Sequence, residues 1–316
     1  MDNRTAVVAI GGNSLITDEL HQSVADQYLA AQQTTKHIAS MIEQGWNVVV
    51  SHGGGPQVGF ILRRSELAAH EIHEVPLDVI LADMQGSIGY VVAQNLQNEL
   101  LYRGIKKDVV CVITQSEVDA DDPAFKRPTK PIGSFMDRKE AIRRRDQDGW
   151  DIMEDANRGY RRIIASPRPA RIVELNSIKL LVEGGVVVIA VGGGGIPVVA
   201  DGSGQLKGVP VVLDKDLGAS LLARNLGVDY FLITTAVEKV ALNFGKRNQQ
   251  WVDHLTLAEA RGYLEGGTHF ATGSMAPKIQ AVVDFLAAGG IEAIITDPDN
   301  LERALAGETG THITRT

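Results

Sequence analysis

Thr5-Ala6-Val7-Val8-Ala9-Ile10-Gly11-Gly12-Asn13 is a short apolar run, rich in β-branched residues, that breaks directly into glycine. The same phrase returns twice: residues 47–51 run into His52-Gly53-Gly54-Gly55, and residues 186–191 run into Gly192-Gly193-Gly194-Gly195. Between and after these runs the pattern predicts helices at about residues 23–45, 57–70, 78–102, 213–226, 276–288 and 300–305. Further strands are predicted at 108–114, 229–235, 292–296 and 311–314. Strands alternating with amphipathic stretches of this length are how a parallel sheet with crossover helices reads, so the fold class expected is α/β.

The rest of the composition agrees. A chain of 316 residues is long enough for one large α/β domain or two lobes, and 44% hydrophobic against 22% charged residues describes a globule rather than a disordered chain. The net charge of −8 argues against a nonspecific grip on nucleic acid or on an anionic membrane. No apolar run reaches the roughly 18 residues of a membrane span, and the start lacks a secretion signal, so the expected location is the cytoplasm. Cys111, the only cysteine, sits in an apolar strand pattern and reads as a packed, inert thiol.

Residues 123–171 break the rhythm. They carry repeated proline and 13 Lys/Arg against 7 Asp/Glu, and read as an insertion whose local positive excess faces something anionic or simply solvent. The three glycine clusters each follow a strand, which puts them at the carboxyl edge where open α/β sheets bind ligands. Glycine lets backbone N–H groups turn toward an oxyanion, and a following helix N-terminus adds positive potential, so the arrangement suits phosphate. One such cluster means little, since tight strand-to-helix turns use glycine anyway.

Familiar signatures are missing: G-x-x-x-x-G-K-[ST], G-x-G-x-x-G, H-R-D, D-F-G, H-E-x-x-H and G-x-S-x-G do not occur, which argues against P-loop, dinucleotide-binding, protein-kinase, zinc-hydrolase and serine-hydrolase readings. What remains is lysine set near glycine: Lys130 in Pro128-Thr129-Lys130-Pro131, Lys215 in Asp214-Lys215-Asp216, and Lys278 in Gly273-Ser274-Met275-Ala276-Pro277-Lys278. Phosphoryl transfer needs this equipment, because the migrating group spreads negative charge over its oxygens and is helped by alignment, fixed cations and N–H dipoles. Asp216 is placed to orient ammonium groups, and Asp214 to cap the helix that follows.

The ordered motifs Ala9-Ile10-Gly11-Gly12-Asn13-Ser14-Leu15, Ser51-His52-Gly53-Gly54-Gly55-Pro56-Gln57, Pro128-Thr129-Lys130-Pro131-Ile132-Gly133, Ser166-Pro167-Arg168-Pro169, Val191-Gly192-Gly193-Gly194-Gly195, Asp214-Lys215-Asp216, Thr235-Ala236-Val237-Glu238-Lys239 and Gly273-Ser274-Met275-Ala276-Pro277-Lys278 resemble, over essentially the whole chain, the carbamate kinases of the amino-acid kinase superfamily. That resemblance implies a three-layer αβα sandwich with a mostly parallel sheet. It also implies an N-terminal lobe (1–207) for carbamate or carbamoyl phosphate, a protruding lid (about 123–171) and a C-terminal nucleotide lobe (208–316). The implied reaction is reversible transfer between carbamoyl phosphate and ADP, giving ATP and carbamate, as in fermentative arginine breakdown, with Mg²⁺ on the nucleotide and no dedicated protein metal ligands.

By the same resemblance Lys215, Lys278 and Lys130 act on the phosphoryl group and Asp216 holds the lysines. Gly11, Gly12, Asn13, Gly53, Gly54, Gly55, Gly193 and Gly194 hold the acid and phosphate oxygens. Asp214, Ala236, Val237 and Met275 serve the nucleotide, and the assembly implied is a homodimer. Gly54, Ala165 and Thr272 depart from the asparagine, proline and proline usual in the family; none removes a charge, and the second loop is where the acid is gripped. A same-fold kinase for another small acid or phosphonate, and a non-catalytic sensor of nucleotide or acyl phosphate, stay open as alternatives.

Overall fold

The computed structural model describes residues 4–316 apart from 13, 14, 17, 19, 155–158 and 272. The opening run is the strand Thr5–Ile10, and its period of two divides it between two cores. Ala6, Val8 and Ile10 pack with Val48, Val50, Leu232 and Ile294 on one face, while Val7 and Ala9 pack with Val49, Val188, Phe231 and Ile233 on the other. A strand buried on both faces has no polar side, which explains why it reads as a continuous apolar run.

Among the described residues, eight strands form the central sheet in the order His254–Thr256, Thr311–Thr314, Glu292–Thr296, Tyr230–Thr234, Thr5–Ile10, Asn47–His52, Val187–Ile189, Val109–Cys111. Every neighbouring pair is parallel except Glu292–Thr296 with Thr311–Thr314. Helices Val24–Glu43 and Leu77–Tyr102 cover one face, and Lys215–Leu226 and Met275–Ala287 the other, making three layers. Ser23 starts the first helix with a reciprocal capping box to Asp26. No described helix is long and apolar enough to cross a membrane.

Strands Thr5–Ile10, Asn47–His52 and Val187–Ile189 lie side by side and run the same way. Their carboxyl ends, and therefore the three glycine clusters, meet at one place on the sheet edge.

The strand expected at 108–114 is shorter, and a new strand begins just after it. Val109–Cys111 stays in the central sheet, and Gln115–Val118 joins a second sheet with Pro169–Ile172, Ile196–Ala200 and Leu206–Gly208. The break falls at Thr114, whose N–H goes to the Gln85 side chain (2.8 Å) and whose hydroxyl goes to the Val112 carbonyl (2.7 Å) instead of to a strand partner. Beyond the second sheet, Lys130–Met136, Tyr160–Ile164 and Ile152–Glu154 form a small antiparallel sheet that carries helix Arg138–Asp148. Many cations of this region are paired: Arg143 and Arg144 with Glu140 and Arg145 with Asp146 inside it, and Arg168 with Asp284 and Arg171 with Glu117 outside it. Cys111 is half-buried, and burial pushes its thiol up to about 11, as an inert group requires.

Candidate active site

Helix Lys215–Leu226 begins at the sheet edge because Asp214 stops it there: its Oδ1 accepts from the N–H groups of Asp216 (3.0 Å) and Leu217 (3.4 Å). The other oxygen, Oδ2, receives the Lys130 ammonium at 2.8 Å, which ties the small antiparallel sheet to the body. Asp216, in the first turn, is only 2% exposed. Lys215 donates to its Oδ1, and Lys278, from the first turn of helix Met275–Ala287, donates to its Oδ2 at 2.8 Å. Two lysines 63 positions apart in sequence thus share one carboxylate.

Burial alone would raise the Asp216 carboxyl, but Lys215 and Lys278 overcome it and hold it down at about 2. Burial pushes the Lys215 ammonium down and the neighbouring Lys278 adds to this, while Asp216 opposes. The arrangement keeps two cations together in a place that water hardly reaches.

These groups open onto a cavity of about 350 Å³ lined by Gly12, Gly53–Gly55, Gly193, Lys130, Arg161, Asp214–Asp216, Gly273, Ser274 and Lys278, with an apolar wall of Val58, Leu81, Met84, Ile132, Val212 and Leu213. Helices Gly55–Ala68 and Met275–Ala287 both present N-termini without a side-chain cap, at Gly54 and Ser274. Uncapped N–H groups and the helix dipole attract an anion, and here two such ends face the same space as the lysines.

The third glycine loop is strained into place. Val191, β-branched and fully buried, has φ 56°, and Gly193, Gly194 and Gly195 follow with φ 64°, 92° and 97°. At Gly194 a Cβ would lie 2.8 Å from Leu213 Cβ and 2.9 Å from the Asp214 carbonyl, so only glycine lets this loop press against the start of the Lys215 helix.

Sequence reasoning missed two buried residues that hold the loops. Gln85, in helix Leu77–Tyr102, donates to the carbonyls of Gly192 and Thr114 (3.0 Å each) and accepts from Thr114 N–H, clamping the third loop to the sheet. His52 is pushed down to about 4 by burial, against the pull of the Gly53 carbonyl and with Lys215 adding to the fall. The ring is therefore neutral at pH 7, with Nδ1–H donating to Gly53 O at 2.8 Å and its Nε2 edge against Gly192. Their only sequence signal is polarity inside otherwise buried elements.

Of the expected site residues, Gly12, Gly53, Gly54, Gly55, Gly193, Lys130, Asp214, Lys215, Asp216 and Lys278 line the one cavity. Gly11 lies behind it, its N–H donating to Thr234 Oγ1 at 3.0 Å, and Gly194 packs beneath the loop as above. Met275 leans on the core beside the Lys278 turn, and Val237 is half-buried. Ala236 is exposed and lines a separate groove of about 610 Å³ with Thr235, Asp297 and residues of the first helix. Asn13 lies outside the described residues.

The amino acid kinase family model matches residues 4–297. YahI of Escherichia coli K12, a carbamate kinase-like protein, is 48% identical over 98% of each chain. The carbamate kinase of Clostridium perfringens is 46% identical over 98% of this chain and 99% of its own. Among solved structures, carbamate kinase from Giardia lamblia bound to AMP-PNP superposes with a TM-score of 0.92 at 37% identity, covering 99% of both chains.

Proposed function

The chain belongs to the amino acid kinase family, and from that premise we propose that it is a carbamate kinase, moving a phosphoryl group between carbamoyl phosphate and ADP to give carbamate and ATP. The observation that carries this reading is the meeting of Lys215 and Lys278 on the buried Asp216 carboxylate, beside glycine loops and two uncapped helix N-termini. In the direction of ATP formation, a β-phosphate oxygen of ADP attacks phosphorus, the bond from phosphorus to the carbamate oxygen breaks, and carbamate leaves with that electron pair. Charge grows on the equatorial oxygens, where fixed ammonium groups and amides lower the barrier without reorganising.

In this reading residues 1–207 bear the acid and 208–316 the nucleotide. Lys130 grips carbamoyl phosphate from the lid at about 123–171, Lys215 and Lys278 neutralise the migrating group, and Asp216 positions them. Gly12, Gly54, Gly55 and Gly193 offer amides, Gly53 lines the site with its own N–H given to the Ile10 carbonyl, and Ala236, Val237 and Met275 contact the nucleoside. Mg²⁺ enters with the nucleotide. Among the described residues no group of three His, Cys, Asp or Glu side chains is placed to hold an ion. Asp216 also spends its oxygens on Lys215 and Lys278, and Asp214 its own on Lys130 and helix amides. That donor set fits a metal borne on phosphates, where it supplies charge neutralisation when bound. The protein acts in the cytoplasm as a homodimer, a state supported by Val79, Tyr90, Leu101 and Tyr102, which helix Leu77–Tyr102 leaves exposed.

The test is a coupled assay of ATP formation from carbamoyl phosphate, ADP and Mg²⁺. Lys215→Ala and Lys278→Ala are each expected to lower kcat by about 10²–10³-fold with an unchanged far-UV spectrum. Near-normal turnover in both variants would remove the basis of the proposal.

A further inference from the structure

We infer that Met84 decides which acids this site admits, an inference that rests on the proposed function. Met84 lies in helix Leu77–Tyr102, is fully buried, and reaches between two glycine loops that belong to distant parts of the chain. A Cβ at Gly54 would lie 2.3 Å from Met84 Sδ and 2.8 Å from its Cγ, and a Cβ at Gly193 would lie 2.7 Å from Met84 Cε. The thioether therefore occupies the space that side chains at 54 and 193 would need. Glycine at both positions is what makes room for it.

Met84 also faces the cavity, where Val58, Leu81 and Ile132 extend the same wall. None of these side chains offers a strong hydrogen bond. The phosphoryl group is read by ammonium groups and amides, whereas the substituent on the acid meets an apolar wall. Such a wall discriminates by size. The bulk of the Met84 side chain sets how large a substituent the acid carries and turns away a longer acyl chain. A single methylene in a pocket of this kind is worth roughly tenfold or more in kcat/KM.

The same geometry predicts a coupling. A methyl on Gly54 displaces the thioether into the cavity, since Ile88 Cδ1, 3.1 Å from that position, blocks the other way. Gly54→Ala should therefore raise KM for carbamoyl phosphate, and shortening Met84 should undo the harm.

The experiment compares carbamoyl phosphate and butyryl phosphate as donors to Mg²⁺–ADP for the wild type, Met84→Ala, Met84→Leu, Gly54→Ala and the Gly54→Ala/Met84→Ala double variant. Met84→Ala is expected to raise the butyryl-to-carbamoyl ratio of kcat/KM by about tenfold or more with KM for ADP unchanged, and Met84→Leu, of similar volume, to keep the wild-type ratio. The double variant is expected to recover the KM lost in Gly54→Ala. An unmoved ratio in Met84→Ala, or a Gly54→Ala defect indifferent to Met84, overturns the inference. A wild type that turns over no carbamoyl phosphate overturns the proposed function instead. Calorimetric binding of butyryl phosphate then decides Met84: binding to Met84→Ala alone sustains the inference, and equal behaviour of variant and wild type ends it.

Discussion

Replacing Asp216 by asparagine keeps the shape of the side chain and removes the charge that Lys215 and Lys278 share. The Lys278 ammonium sits 2.8 Å from Asp216 Oδ2, and at an effective dielectric constant of about 20 that pair alone is worth about 6 kcal/mol before the cost of burying the charges is counted. The net figure follows from the carboxyl itself, which falls from 3.8 to about 2. At ~1.4 kcal/mol per pH unit, this amounts to ~2–3 kcal/mol of stability near neutral pH. Asparagine also turns amide hydrogens toward the ammonium groups, so the expected loss is ~3–5 kcal/mol, the usual cost of breaking a buried ion pair. For a chain of this length that is a fall in Tm of roughly 4–8 °C.

The contribution of a lowered carboxyl is complete above its unfolded value and is lost as pH falls from 3.8 through about 2. The gap in Tm between wild type and variant should therefore be constant from neutral pH down to weak acid and close in strong acid. Kinetically, Asp216 opposes the downward push of burial on Lys215, so the variant should lose that ammonium at lower pH and the basic limb of its kcat profile should move toward neutrality. Thermal melts across pH and the coupled assay read both effects. A Tm within about 1 °C of wild type, together with an unmoved basic limb, would refute the idea that Asp216 holds the two lysines.

Lys130→Ala should raise KM for carbamoyl phosphate and spare KM for ADP, because the helix that Asp214 caps keeps its backbone bonds; an effect confined to the nucleotide would count against the lid assignment. Gln85→Leu leaves the buried Thr114 N–H without its acceptor, at a cost of about 1–3 kcal/mol, and takes one of two donors from the Gly192 and Thr114 carbonyls, which keep the N–H groups of Gly195 and Ile196, so both Tm and kcat should drop. A Gln85→Leu protein with wild-type Tm would show that the third loop does not need this clamp. Cys111, pushed up to about 11, should resist iodoacetamide at pH 8 in the folded protein and react once unfolded. Rapid labelling of the native state would contradict its packing.

Much of the site was legible because its parts follow local rules. A strand buried on both faces must be apolar throughout, a strand-to-helix turn that aims its amides outward favours glycine, and a helix beginning at Lys215 calls for a cap such as Asp214. The less legible parts were polar or flexible groups inside regular elements. Nothing around Gln85 announces a bond to Gly192, 107 positions away, and nothing around Met84 announces that it fills the space at Gly54 and Gly193. The early end of the strand expected at 108–114 was hidden for the same reason, since the Gln85 side chain takes the Thr114 N–H that a continuing strand would have used.

By itself, the sequence determined the class of fold, the edge of the sheet where chemistry gathers and the kinds of group that gather there, because periodicity, turn chemistry and charge are written in neighbouring residues. Only the tertiary structure decided that Lys215 and Lys278 share one carboxylate, that Lys130 reaches Asp214, and that a methionine thioether fills the space beside Gly54 and Gly193. Those relations depend on the angles and spacings at which helices pack across the sheet, which emerge when the whole core closes and which no local stretch of chain encodes.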